Sequence, residues 1–394
     1  MFLWGLYYLQ GTLYATGSIV SQGILAILLC SSLFYCYKVN VTYKLPTFFK
    51  ALNAFLIMAT IYGVILMLSP TQIYLFNILS NPISKMTFLK SIYISLLPIY
   101  VFYYFGKTNK LNGDIIRLFT IFWLVVVIFS FVRHFRTIET LMLDNGYTED
   151  VEITNNIAYE FLALFPLLFF WNRRPLVQYA LIFVLIAFIF SGMKRGAIFI
   201  GVICFIWFLF RVFKSSKGKK RIGIVLMSII ILSVSINYVI NMYETSLYFQ
   251  LRIEQTLDGN SSGRDTIFST LWNHYKEELS LMKFLFGNGA YYTVAVAGIF
   301  AHNDWLELLI NQGLLGASIY ASMYLSLIYT LFRIKKNEFV FSILMMVVII
   351  MFASSLFSML YGSLGLPLSV ALGYCLVQEN KKSNMTAYNN NITQ

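Results

Sequence analysis

The run Ala301-His302-Asn303-Asp304-Trp305-Leu306-Glu307-Leu308-Leu309 sets a histidine just before a long apolar stretch and directly after the longest polar segment of the chain. An imidazole, with an ordinary pKa near 6.5, is suited to receiving a hydroxyl proton around neutral pH. Two cations, Lys194 and Arg195, occupy the tight turn Ser191-Gly192-Met193-Lys194-Arg195-Gly196 between two apolar stretches. Two more, Arg252 and Arg264, lie in the polar segment itself, Arg264 within Ser261-Ser262-Gly263-Arg264-Asp265. A guanidinium presents a planar fork of donors that matches phosphate, so several such groups converging at a membrane face suit a phosphorylated lipid. The plainer reading of Lys194 and Arg195 is snorkelling to lipid headgroups, and of Arg252 an ordinary surface charge.

What must position these groups follows from composition. Of 394 residues 59% are apolar and 12% charged, with a mean hydropathy of +0.72, too little polar surface for a water-soluble globule of this size. A spanning helix needs roughly 20 apolar residues, because irregular backbone cannot leave its amides unpaired in hydrocarbon. Runs of this kind predict an all-α polytopic membrane protein with spans near 2–16, 17–37, 50–68, 87–105, 115–133, 155–171, 176–191, 196–213, 222–241, 304–332, 339–357 and 362–378. The chain thus reads as one transmembrane domain, with spans across 2–241 and 304–378, an extracytoplasmic segment at 242–303 before the antepenultimate span, and a polar tail, 379–394, expected to be disordered.

The basic residues supply an orientation. Alternate connections hold Lys38, Lys44 and Lys50; Lys107, Lys110 and Arg117; Arg173 and Arg174; Arg211 through Arg221; Arg333, Lys335 and Lys336; and Lys381 and Lys382, most of the chain's 29 lysines and arginines. Cytoplasmic loops carry such an excess. The net charge of +12 is therefore a topology signal, and its scatter through short loops argues against nucleic-acid binding, which needs basic residues gathered on one face. If 2–16 crosses, both ends are cytoplasmic; if not, the amino terminus lies outside. Phe2-Leu3-Trp4 lacks a preceding basic leader and does not read as a cleavable signal. Cys30, Cys36, Cys204 and Cys375 fall in or beside apolar runs without metal-ligand spacing and read as buried hydrophobes.

The outer segments carry the polar residues. One, from about His134 to Thr154, is acidic. The other, from about Asn241 to Ala301, is long enough to fold as a small helical cap. Within it Asp265 can cap a helix whose Ile267, Leu271, His274 and Tyr275 share a face, with Gly287-Asn288-Gly289 ending the unit. Asp304 and Glu307 have the spacing of a capping box, which puts His302 at the helix mouth. Glu160, about one turn inside a span, needs a cationic partner or a proton, and pairing with an arginine is the expected solution. Tyr291, Tyr292 and Trp305 offer surfaces on which a sugar can stack.

Three sets of residues, in this order along the chain, resemble the O-antigen ligase and polymerase superfamily of bacterial envelope glycosyltransferases. They are Ser191-Gly192-x-Lys194-Arg195-Gly196-Ala197; Ser262-Gly263-Arg264 with Phe286-Gly287-x-Gly289; and His302-Asn303-Asp304-x-x-Glu307-x-Leu309 with Gly313-Leu314-x-Gly316. The resemblance covers about 155–335. It implies transfer from an undecaprenyl-diphosphate-linked glycan at the outer face of the bacterial cytoplasmic membrane. Carried over by position, Arg195 and Arg264 clasp the diphosphate, and His302 takes the proton of the attacking sugar hydroxyl or orients it. Lys194 and Arg252 are weaker phosphate contacts, and Asn303, Asp304, Tyr291, Tyr292, Trp305 and Glu160 are contacts for the acceptor and its sugars.

Displacing a diphosphate develops negative charge on the leaving oxygen, which preorganised cations stabilise without a metal. The sequence has no Asp-x-Asp or clustered His/Asp set, so neither metal nor cofactor is expected, although Asp304 and Glu307 leave an oxygen-ligand possibility open. The expected partners are the lipid-linked glycan as donor and acceptor, membrane lipid, and, from the resemblance alone, a chain-length regulator. Within the superfamily a repeat-unit polymerase, making O-antigen, capsule or exopolysaccharide, is the first expectation. The His-Asn-Asp variant, the compact length and the lack of an added carboxy-terminal soluble domain favour it over a ligase acting on lipid A core or a protein O-oligosaccharyltransferase. From other classes, a lipid or polysaccharide transporter predicts charges spread through many spans, and an assembly scaffold leaves His302 without a task.

Overall fold

Apolar runs long enough to satisfy every backbone amide internally become helices, and the chain is built of them. The computed structural model describes residues 1–70, 72–74, 82–145, 156–245, 250, 253–254, 263–278 and 280–392, and among these there is no strand. The first half comprises α1 (Phe2–Tyr8), α2 (Ile19–Thr42), α3 (Thr47–Leu68), α4 (Met86–Leu96), α5 (Pro98–Lys107), α6 (Gly113–Asn145) and α7 (Ala158–Leu164), which runs into a 3-10 segment, Phe165–Trp171. There follow α8 (Pro175–Ser191), α9 (Arg195–Ser215) and α10 (Lys219–Thr245), then the short α11 (Arg264–Glu277), α12 (Leu281–Phe286) and α13 (Tyr292–Ala297). The chain closes with α14 (Asp304–Ile334), α15 (Glu338–Phe357) and α16 (Leu366–Ile392).

Among the described residues eight helical stretches are long and apolar enough to cross a membrane, and Ala158–Trp171, Pro175–Ser191 and Leu366–Glu379 are shorter apolar helices. This is the architecture of a multi-pass, all-helical membrane protein. Its outward faces are apolar, as lipid requires: on α10, which packs on α8 and α9, Ile222, Leu226 and Ile229 are all exposed. The interior is aromatic, with Trp123, Tyr100, Tyr103, Tyr320 and Phe55 fully buried. α5 and α16 pass closely, and a Cβ at Gly373 would come 2.7 Å from the backbone of Phe102 and Tyr103; small residues let membrane helices approach this closely. All four cysteines are free thiols, Cys204 and Cys375 buried, Cys36 partly so and Cys30 exposed.

Four expectations change. Residues 2–16 do not form a span: α1 has seven residues, about 10 Å of helix, and then turns back through Leu9, Gln10 and Thr12. α14 is not continuous, because Gly313 has φ 69° and ψ −167° and breaks it. Gly263, not Asp265, is the N-cap of α11, and no side chain caps that end; Asp265 instead sits in the first turn, where a carboxylate complements the helix dipole. Gly287–Gly289 does not end the unit of short helices, since α13 follows it. In addition, α16 continues as helix to Ile392, through the stretch expected to lack structure. The acidic segment between α6 and α7, together with Ser261, Ser262 and Arg252, lies outside the described residues or side chains.

The break in α14 has a specific partner. Leu285–Gly289 lies against it, with the N–H of Asn288 donating to Ile310 O (3.0 Å) and that of Gly289 to Asn311 O (2.8 Å). These bonds satisfy carbonyls that the interrupted helix leaves open. A Cβ on Gly313 would come 2.5 Å from the backbone of Leu285 and Gly287, so two glycines make the docking possible. Leu271 and Tyr275 of α11 pack with Ala301 and Ile310 in a second small core, joined by Ile267, Val296 and Leu306. The short helices are thereby fixed to the start of α14.

Candidate functional site

One cavity of about 430 Å³ is lined by Lys194, Arg264, His302, Glu160 and Tyr291, together with Tyr8, Tyr159 and the connection from Ser358 to Ser363. Its size falls within the roughly 300–1,000 Å³ of small-molecule sites. The three basic groups come from segments far apart in sequence, and each stands at a helix start. Lys194 is the N-cap of α9, Arg264 is the first residue of α11, and His302 comes just before Asn303, the N-cap of α14. Helix N-termini carry partial positive charge and unpaired N–H groups. Their arrangement around one cavity therefore adds to the lysine and arginine, and the site suits an anion.

Local structure explains why these side chains face inward. The Gly192 N–H bonds to Phe188 O and that of Met193 to Phe190 O, closing α8, and Met193 takes φ +50°, which reverses the chain within one residue. Lys194 then caps α9 from an extended conformation and is only 8% exposed. Arg195, the next residue, opens α9 half-buried and does not line the cavity. The Arg264 charge lies close to Tyr159 on α7.

His302 has φ +52°, a left-handed backbone that is uncommon for any residue but glycine, though histidine tolerates it better than most. Its neighbours hold it there. Ala301 N–H donates to Glu307 Oε2 (2.8 Å), while Asn303 Oδ1 accepts from Leu306 N–H (3.0 Å) and Asn303 Nδ2 donates to Leu356 O (3.1 Å). Asn303 is thus a positioning residue at the helix mouth. The anticipated Asp304–Glu307 capping box is absent because the cap falls one residue earlier, and the two carboxylates point to different partners.

Asp304 is fully buried and accepts from Tyr320 Oη (2.5 Å), Leu360 N–H (3.0 Å) and Tyr361 N–H (3.3 Å). Glu307, also fully buried, accepts from Thr293 Oγ1 (2.5 Å) and Asn311 Nδ2 (2.9 Å) besides Ala301. Both carboxylates are therefore engaged by the scaffold, and neither Asp304 nor Asn303 lines the cavity. Among the described residues, no three His, Cys, Asp or Glu side chains are grouped so as to hold a metal ion.

The aromatic expectations divide. Tyr291, at φ +64°, lines the cavity with its ring edge-on to Phe88 and Phe300; burial, and then the charge of Glu307, push its phenol above the ordinary value of 10, so it is a neutral donor near pH 7. Tyr292 faces away, bonded to His274 Nε2 (2.8 Å) and Glu278 Oε2 (2.9 Å); burial followed by the Glu278 bond raises its phenol to about 12. Trp305 is held among Tyr320, Tyr324 and Phe352, and its Nε1 donates to Ser355 Oγ (3.0 Å). It packs α14 on α15 and is absent from the cavity wall. Among the described residues no arginine pairs with Glu160, whose neighbours are Tyr8 and Trp123.

Sequence reading missed Tyr8, Tyr159 and the Ser358–Ser363 connection. Tyr8 sits in a stretch assigned to a span, and Gly362-Ser363 falls at the start of the last one, 362–378. The signal in the latter case was Gly362, Gly365 and Pro367 close together, which interrupts a helix. No protein-family model matches this chain, and no curated protein matches it.

Proposed function

We propose that this chain is a membrane-embedded glycosyltransferase that joins undecaprenyl-diphosphate-linked oligosaccharide repeat units at the outer face of a bacterial cytoplasmic membrane. The observation that carries the reading is the meeting of Lys194, Arg264 and His302, at three helix starts, around one cavity. In this reading Lys194 and Arg264 hold the diphosphate, with the first turn of α9 behind them. An acceptor hydroxyl oxygen attacks the anomeric carbon as the bond from that carbon to the diphosphate oxygen breaks. His302 receives the hydroxyl proton, and the cations stabilise the departing negative charge. A single displacement inverts the anomeric configuration.

The three shorter apolar helices are counted as crossings beside the eight long ones, and α1 as a partial insertion from outside. The amino terminus is then extracytoplasmic, the basic connections are cytoplasmic, and α11 to α13 form an outer cap over the site. The motif resemblance points the same way.

The test replaces His302 or Arg264 by alanine in the native host. Each variant is expected to insert at normal abundance and to lose long glycan chains. A single repeat unit remaining on the final acceptor marks lost polymerisation. Loss of all attached glycan, with lipid-linked polymer accumulating, marks a ligase instead. Normal chain lengths in both variants would overturn the mechanism.

A further inference from the structure

The transfer chemistry leaves one carboxyl group of the cavity unused. Glu160 lies in the first turn of α7, inside the apolar segment Ala158–Trp171, where a carboxyl group is costly to keep without partners. Its Oε2 atom is buried with no hydrogen-bond partner, and so is the Tyr159 hydroxyl beside it in sequence. Both residues line the cavity. Gly365 opposes the carboxyl so closely that a Cβ there would come 3.0 Å from Oε2. The carboxyl therefore has a fitted seat.

The Glu160 carboxyl, the Tyr159 phenol and the rings of Tyr291 and Phe300 thus line one cavity; Tyr8 and Trp123 lie beside the carboxyl and Ser358 beside the phenol, while Oε2 and the phenol oxygen are left without a hydrogen bond. Neighbouring hydroxyls of a sugar satisfy that set: one donates to the carboxyl, the next exchanges a bond with the phenol, and the C–H face of the ring lies on an aromatic. We infer that Glu160 binds the hydroxyls of the acceptor sugar and selects an uncharged one. A uronic acid at the same place would set one carboxylate against another. The inference rests on the glycosyl-transfer reading, and it divides the cavity by charge, with cations for the diphosphate and a carboxyl for the incoming sugar.

The test uses the full chain in lipid nanodiscs, with lipid-linked oligosaccharide extracted from cells lacking this protein as substrate. Glu160→Gln is expected to raise the apparent KM about tenfold, the effect of losing one charge-assisted hydrogen bond, with kcat changed less. Glu160→Leu is expected to abolish turnover. Both variants should melt at or above the wild-type temperature, because each removes a buried carboxyl whose Oε2 has no hydrogen bond. A wild-type KM in Glu160→Leu overturns the inference. So does a melting temperature that falls together with activity in both variants, since that marks a structural role. No turnover of the lipid-linked substrate by the wild-type chain overturns the glycosyl-transfer reading and the inference with it, which separates the two failures.

Discussion

Asp304 Oδ1 accepts the backbone N–H of Leu360 at 3.0 Å, a bond across 56 residues that ties the mouth of α14, two positions from His302, to the connection forming the opposite side of the cavity. Tyr320 and Tyr361 complete the same carboxylate's partners. The site thus depends on a buried acidic residue that does not touch the cavity.

Asp304→Ala is expected to destabilise the protein strongly, since it leaves two backbone N–H groups buried without an acceptor, at about 1–3 kcal/mol for each, and the Tyr320 phenol with only Tyr324 to bond. Asp304→Asn keeps the shape but turns an amide NH₂ toward donors, so it should be intermediate. Thermal unfolding in detergent measures both, and a wild-type melting temperature for Asp304→Ala would show that the link is dispensable.

Gly313→Ala is expected to release the short helices α11 to α13 from α14. The residue has φ 69°, strained for any side chain at a cost of order 1–3 kcal/mol, and a Cβ there meets the backbone of Leu285 and Gly287. At Gly263, which has φ +73° but open space around it, the same substitution should cost only the backbone strain. Limited proteolysis between Arg264 and Ala301 compares the two, and equal cleavage rates would argue against the docking described.

The short helices also have an acid-sensitive link. The hydrogen bond from Lys283, then that from Tyr292, holds the Glu278 carboxyl below its ordinary 4.5. A group whose pKa is lowered by folding contributes stability above its unfolded pKa and loses it as pH falls through the folded value. The connection between α11 and α12 should therefore loosen on acidification below pH 4.5. Trp272, on α11, reports it: a fluorescence change between about pH 6 and about pH 3 is expected, with Glu278→Gln lacking that component. Superimposable titrations of the two proteins would assign the change to another group.

Trp305→Phe tests the aromatic assignment. It removes the Ser355 bond but retains packing against Tyr320 and Phe352, a loss of about 1 kcal/mol. A modest drop in melting temperature with unchanged glycan chain length is expected. A rise in substrate KM at unchanged stability would return Trp305 to the binding surface.

Much of the architecture was legible along the chain because a bilayer imposes a local rule: every apolar run near 20 residues must close its own hydrogen bonds as a helix. Composition alone therefore predicted a helical polytopic protein, and the boundaries of α9, α14 and α15 lie close to where apolar runs begin and end. Where the rule has a second solution, the prediction missed. Seven residues of α1 suffice to fill a space beside α2 and α6, and Gly313 breaks a helix at a point where Leu285–Gly289 can take up the freed carbonyls.

The site was legible only as residue types. That Lys194, Arg264 and His302 are unusual follows from their rarity and their position next to apolar runs, which is information carried within each segment. That they share a cavity, that Arg195 stands outside it and that Trp305 packs in the core are decided by the directions in which helix starts point. Those directions depend on contacts between segments tens to hundreds of residues apart, such as Asp304 with Leu360, and no local pattern encodes them.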